Sequence, residues 1–194
     1  MTRAAAQAIS AVTADGRELH AAVYDENEVH AAAGLTMVAG AVAFAYAYFD
    51  AQYLPLQVVS SFFFVEFLAR LTLGLRRSPT GVVARALTRG RPNDWVSAKP
   101  KHFAWTLGLA LSFSMMVITN SGVRGALPRT ICLVCLTLMW LESVLGLCMG
   151  CQLHAWLVRR GLRGDDPNYE VCAGGVCEVP ERAPAEPAPV ATVV

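Results

Sequence analysis

Two cysteine pairs stand in one apolar run, Cys132-x-x-Cys135 and Cys148-x-x-Cys151, with twelve residues between them. Thiols three positions apart can oxidise to a disulfide, carry sulfane sulfur or ligate a soft metal. On paper the paired spacing also suits a four-thiolate zinc site. The run from Thr130 to Val158 contains no Lys or Arg and one carboxylate, Glu142. Read as a single helix, it separates Cys132 from Cys148 by roughly 24 Å along the axis and turns them to different faces. Four thiolates then do not meet on one ion, so no metal site and no cofactor is expected, and the pairs stand apart. Cys132 and Cys135 are expected as small packing residues. Cys148 and Cys151 lie among Gly146 and Gly150, which admit two readings. The glycines form a small-xxx-small contact for another helix, or they leave an i,i+3 thiol pair accessible for chemistry. Burial in an apolar helix raises a thiol pKa, and a cytoplasmic placement keeps thiols reduced, so this pair is expected reduced at rest. A third pair, Cys172-x4-Cys177, flanks Gly174-Gly175 in the tail, where it reads as an accessory thiol pair or as an incidental feature. His154, three residues after Cys151, is an interfacial anchor or a ligand.

The charges inside apolar segments are the second set with chemical meaning. Glu66 and Arg70 are one helical turn apart and share a face. Glu142 is the third such charge. A charge at membrane depth is costly unless it pairs or serves a function. Arg70 is therefore expected against Glu66 or Glu142. Glu142 is expected as a structural partner of Arg70 or as a proton or cation relay.

The elements that position these groups follow from composition. Of the 194 residues, 55% are hydrophobic and 16% charged, against roughly 25% charged in a soluble domain. The shortfall is concentrated in long windows, which predicts an all-α integral membrane protein with four transmembrane helices. The expected spans are about 29–49, 56–75, 103–119 and 130–158. The acidic stretch Asp25-Glu26-Asn27-Glu28 precedes the first, where carboxylates suit a helix N-terminus. Ser78-Pro79 reads as a cap with proline in the first turn. After it, Val82, Val83 and Leu87 against Arg85 and Arg89 predict a short interfacial helix. Trp95 reads as an interfacial anchor.

The chain divides into a soluble, partly helical N-terminal segment over residues 1–24, a membrane domain over 25–163 and a disordered cytoplasmic tail over 164–194, rich in Pro, Ala and Glu. Arg76, Arg77, Arg85, Arg89, Arg91, Lys99 and Lys101 crowd the loop between the second and third spans, and Arg159, Arg160 and Arg163 follow the fourth. Lys and Arg favour the cytoplasmic side, which places both termini there. The partner expected first is the lipid bilayer. The net charge of +1 gives no footprint for nucleic acid, and nothing sets an oligomeric state.

Asp25-Glu26-Asn27, Glu66 with Arg70, Arg77-Ser78-Pro79, Lys99-Pro100-Lys101-His102-Phe103-Ala104, Glu142 and Gly146-x-Cys148-x-Gly150-Cys151 occur in this order over about residues 25–157. Together they resemble the bacterial membrane family filed as domain of unknown function 4395. His30 and His102 stand where Arg is more usual in that family, and Leu147 where Phe is. The resemblance implies a helical protein of the bacterial plasma membrane and brings no activity with it. It does raise the weight of the Gly-x-Cys-x-Gly-Cys motif, whereas Cys132, Cys135, Cys172 and Cys177 are particular to this chain. The leading functional expectation is a membrane thiol component handling electrons or sulfane sulfur at Cys148 and Cys151, with a thioredoxin- or rhodanese-like soluble partner. The alternatives are a small transporter component using Glu66, Arg70 and Glu142, and a structural membrane partner.

Overall fold

The computed structural model describes residues 7–12, 18–92 and 94–162, with side chains from Val23 onward except Trp95. Cys172, Cys177, Arg163 and the tail over 164–194 lie outside the described residues, as does the structure of residues 1–6 and 13–17.

Six helices dominate: α1 Glu26–Phe49, α2 Leu54–Thr72, α3 Pro79–Leu87, α4 Ala98–Asn120, α5 Ala126–Leu145 and α6 Met149–Arg159. Four of them, α1, α2, α4 and α5, are long and apolar enough to cross a membrane. Their outward faces carry Val38, Val42, Val58, Val65, Phe113, Val117, Leu133, Val134 and Val144, all exposed. Only 33% of the apolar window of α1 and 11% of that of α5 is buried inside the protein. An apolar surface so extensive matches a bilayer, not water. The short helix α3 turns Val82, Val83 and Leu87 outward in the same way while it buries Thr80, Gly81 and Ala84.

The N-terminal segment differs from the expected partly helical one. Strands β1 (Gln7–Val12) and β2 (Glu18–Asp25) form an antiparallel hairpin, and β3 (Trp95–Ser97) pairs with the far edge of β2. The helical reading failed because the Ala-rich composition of this stretch favours helix locally, whereas its strands are set by cross-strand pairing, β1 with the nearby β2 and β2 with the distant β3. The little sheet has a structural consequence. β2 runs directly into α1 and β3 directly into α4, and Val23 faces Ser97 across the ladder. The starts of two membrane-length helices are thereby fixed side by side. Asp25 caps α1 by accepting from the Asn27 amide at 3.0 Å. The Glu26 amide donates to the Asp94 carbonyl at 2.7 Å, and Asn27 Nδ2 donates to the Pro92 carbonyl at 3.1 Å.

Helices α2 and α4, and α1 and α5, pack as close pairs, with α6 laid on α4 and α3 on α1. At the end away from the sheet, the Gly125 amide donates to the Tyr53 hydroxyl at 2.8 Å, and the Arg124 guanidinium lies 5.2 Å from the Tyr53 ring.

The expected fourth span over 130–158 is not one helix. Helix α5 stops at Gly146, and α6 starts afresh after Cys148. The third helix also begins earlier than expected, at Ala98 rather than 103, because β3 leads straight into it. Its polar first turn, with Lys99 and Lys101, obscured the start in a hydropathy reading.

The Lys/Arg distribution predicts that the sheet end faces the cytoplasm. Arg89, beside α3, and Ser121, in the α4–α5 turn, are both exposed and lie at opposite ends of the helices. Single cysteines introduced there in a background cleared of native thiols should label from opposite sides of intact cells with an impermeant maleimide. Labelling of both from the outside would refute a four-span arrangement.

Candidate functional site

Cys148 and Cys151 are joined as a disulfide. The local sequence explains how. Gly146 takes a left-handed conformation, φ 67°, which a residue with a Cβ adopts at a cost. The amides of Gly146 and Leu147 both close back onto the Leu141 carbonyl, ending α5. The chain then runs extended through Cys148, φ −80° and ψ 95°. Cys148 is the N-cap of α6, and its Sγ accepts from the Cys151 amide at 3.3 Å. Two positions inside a regular helix set their sulfurs poorly for a bridge. An extended N-cap residue and the third residue of the helix, with Cα atoms 5.2 Å apart, fall in the ordinary range for one. The expectation of one continuous helix through both cysteines is thus corrected, because the break at Gly146 re-aims Cys148.

Gly146 and Gly150 do not form one small-xxx-small face, because the break falls between them. Gly146 ends a helix. Gly150 allows a close approach: a Cβ there would lie 2.5 Å from Ala104 Cβ on α4. The buried face of α6 is Cys151, His154 and Ala155, and the His154 ring packs 5.4 Å from Phe103 of α4. Both cysteines are buried, Cys148 at 4% and Cys151 at 2% exposure. The neighbours of Cys148 in the chain, Leu147 and Met149, are both exposed. Cys148 therefore lies one residue from the outer surface. On its other side it lines a half-open pocket of about 600 Å³.

That cavity lies among α2, α4, α5 and α6. Its wall includes Phe67, Leu111, Met115, Cys132, Met139 and Glu142. Cys132 and Cys135 carry free thiols, and Cys132 packs with Ala43, Tyr53, Leu56 and Met115. They are brought to the same cavity as Cys148, near its opposite end. Among the described residues, no three His, Cys, Asp or Glu side chains gather as a metal-binding group.

The buried charges separate into two clusters. In the first, Arg70 Nε donates to Glu66 Oε1 at 2.8 Å, and its Nη2 donates to Thr80 Oγ1 at 2.8 Å. Thr80 in turn donates to Glu66 through both its amide and its hydroxyl. Trp105 and Phe67 flank the guanidinium. Arg70 meets Glu66 as expected, and the cluster fastens α3 to α2. Glu142 is not its partner. Glu142 instead accepts from Lys101 Nζ at 3.3 Å, and the same ammonium donates to Glu26 at 3.4 Å. His30 Nε2 stands 3.5 Å from Glu26 Oε1 and lies against Gly146. This second cluster joins α1, α4 and α5 where α5 ends. The sequence offered its parts, an acidic cap and a basic flank, but their convergence depends on the β2–β3 pairing. Next to it, Tyr24 donates to or accepts from His102 Nε2 at 2.7 Å, and burial pushes the Tyr24 phenol well above its usual range.

Four membrane-length helices, a terminal amphipathic helix and a Cys-x-x-Cys bridge at its start define a multi-pass helical protein with a thiol pair at one end of the bundle. The chain matches the family described as Domain of unknown function (DUF4395) over residues 24–159 and belongs to it. No curated protein and no solved structure matches it.

The two clusters and the Gly150 contact make separate predictions. Arg70→Met strands Glu66 as a buried charge and should cost about 3–5 kcal/mol. Arg76→Met, which removes a guanidinium that is itself 38% exposed but leaves Glu28 buried, should cost less, about 1–3 kcal/mol; thermal melts of the two variants in one detergent check the contrast. Gly150→Ala drives a methyl into Ala104 and should cost about 1–3 kcal/mol by overpacking. The double variant Gly150→Ala/Ala104→Gly should recover most of that loss, and failure to recover it would refute the α4–α6 contact.

Proposed function

We propose that this chain is a membrane thiol–disulfide component whose working groups are Cys148 and Cys151. The observation that carries this reading is the bridge at the N-cap of α6, set between an exposed turn and a half-open apolar pocket. A helix N-terminus stabilises a thiolate through its free amides and dipole. Once reduced, Cys148 is therefore the favoured anion, with the Cys151 amide as its hydrogen-bond donor. The exchange balances as follows. A thiolate of a soluble dithiol partner attacks Cys148 Sγ, the Cys148–Cys151 bond breaks, and Cys151 leaves as the thiol after taking a proton. The second partner thiolate then attacks the partner's own sulfur in the mixed disulfide and releases Cys148 as the stabilised thiolate. Two electrons enter the pair, and the partner leaves oxidised. A thioredoxin-like protein is the partner class that fits this chemistry, and a rhodanese-like donor would load sulfane sulfur on the same Cys148. The Lys/Arg distribution assigns the pair to the cytoplasmic face of a bacterial plasma membrane.

A permease reading finds its support in Glu142, which lines the cavity. The two readings separate by mutation, because Glu142→Gln would abolish transport and Cys148→Ser would abolish exchange.

Purified protein in nanodiscs should have Cys148 and Cys151 resistant to alkylation until a reduced thioredoxin-class dithiol is added, then alkylated at both positions by mass spectrometry. Cys151→Ser should accumulate a mixed disulfide through Cys148, and Cys148→Ser should accumulate far less. A bridge that no dithiol protein opens in the folded chain would refute the reading.

A further inference from the structure

We propose that the half-open apolar pocket binds a quinone carrying an apolar tail, and that this quinone is the electron acceptor for the reduced Cys148/Cys151 pair. The inference rests on the thiol–disulfide reading above and adds the identity of its second substrate. Both cysteines are buried, at 4% and 2% exposure, and Cys148 forms part of the pocket wall. A small apolar oxidant therefore meets Cys148 from the pocket, on the side away from the exposed Leu147–Met149 turn that a soluble partner approaches. The volume of about 600 Å³ lies within the range of small-molecule sites. The space is long as well as large: Cys132 and Cys148 both line it, and they stand sixteen residues apart on either side of the α5–α6 break. One end carries Cys148 and Glu142, which accepts from Lys101, and the rest of the wall is aliphatic, aromatic and Met side chains with Ala, Gly, two free thiols and a few hydroxyls. An occupant matched to this shape has a compact polar head that takes up two electrons and two protons, and a long apolar remainder. A flavin brings phosphates or a ribityl chain, for which the wall has no cation. A quinone meets each requirement, and it is soluble in the phase that the outer faces of α1, α2, α4 and α5 are built for.

The step balances without further reagents. The Cys148 thiolate adds to a ring carbon of the quinone, forming a C–S bond and placing an electron pair on the ring. The Cys151 thiolate then attacks Cys148 Sγ. The S–S bond forms, the C–S bond breaks with its pair leaving on the ring, and the ring takes up the two protons that the thiols gave up. Two thiols and one quinone become one disulfide and one quinol, and the dithiol partner of the preceding section restores the thiols.

The test uses the full chain in nanodiscs, reduced, desalted and kept anaerobic. A benzoquinone with a decyl tail is added, quinone absorbance is followed, and the modified thiols are located by mass spectrometry. One quinol should form per bridge regained at Cys148 and Cys151. Cys151→Ser, which cannot complete the second step, should instead hold a thiolate–quinone absorption band or a covalent adduct at Cys148. Ser112→Phe, which fills the cavity from α4, should slow quinone reduction at least tenfold while leaving oxidation by a soluble disulfide within about twofold, and the latter rate also reports that the variant is folded. A photoreactive azido-quinone should label the α4 or α5 peptides containing Met115 or Met139, in competition with unlabelled quinone but not with phospholipid. If the soluble disulfide reoxidises the pair and the quinone does not, the quinone proposal is overturned and the thiol reading stands. If neither oxidant acts, both fall. Displacement of the azido label by phospholipid as readily as by quinone, or wild-type quinone turnover in folded Ser112→Phe, overturns the assignment of the cavity.

Discussion

The buried ammonium of Lys101 is the constraint on which the sheet end of the bundle depends. It is 2% exposed, and a cation removed from water to that degree has to be matched by carboxylates held in place. Glu26 and Glu142 supply them from α1 and α5. Three membrane-length helices are thus tied at one depth, about one turn from the start of α4. The sheet sets up the meeting, since β2 and β3 deliver α1 and α4 side by side. The arrangement also fixes where α5 must end, because Glu142 has to reach the ammonium just before Gly146 turns the chain away.

The turn after Glu142 decides the character of the cysteines. In a continuous helix Cys148 would be one more small apolar residue facing lipid or a neighbour. With Gly146 left-handed and Cys148 extended, the same residue becomes a cap whose sulfur faces an amide of the next helix. The two glycines of the motif divide the work. One ends α5, and the other lets α6 lie against Ala104 tightly enough to bury Cys151 and His154. The Glu66–Arg70 cluster is of another kind. Glu66, Arg70 and Thr80 satisfy one another within the α2–α3 junction, and none of the three lines the cavity. Two pairs of charges that look alike in a hydropathy plot therefore differ in role, one being a closed fastening and the other standing beside the cavity and the bridge.

Four long helices, the short helix after Ser78-Pro79, the Glu66–Arg70 contact and membership of the family were determined by the sequence alone. Each depends on local composition, on i,i+4 spacing or on an ordered set of short motifs, and those signals act within a few turns of chain. What only the tertiary structure decided is everything that requires two distant segments to meet. The hairpin was hidden because its Ala-rich segment favours helix locally, and the β3 edge because pairing between the distant Val23 and Ser97 leaves no local mark. The transfer of Glu142 from Arg70 to Lys101 follows from that pairing. The break at Gly146 was hidden in a run whose hydropathy never falters, since a left-handed glycine and a glycine in a helix contact are the same letter. It took the contact of Gly150 with Ala104, and the folding of α6 back onto α4, to make the break the lower-energy choice and to bring Cys148 and Cys151 within bonding distance.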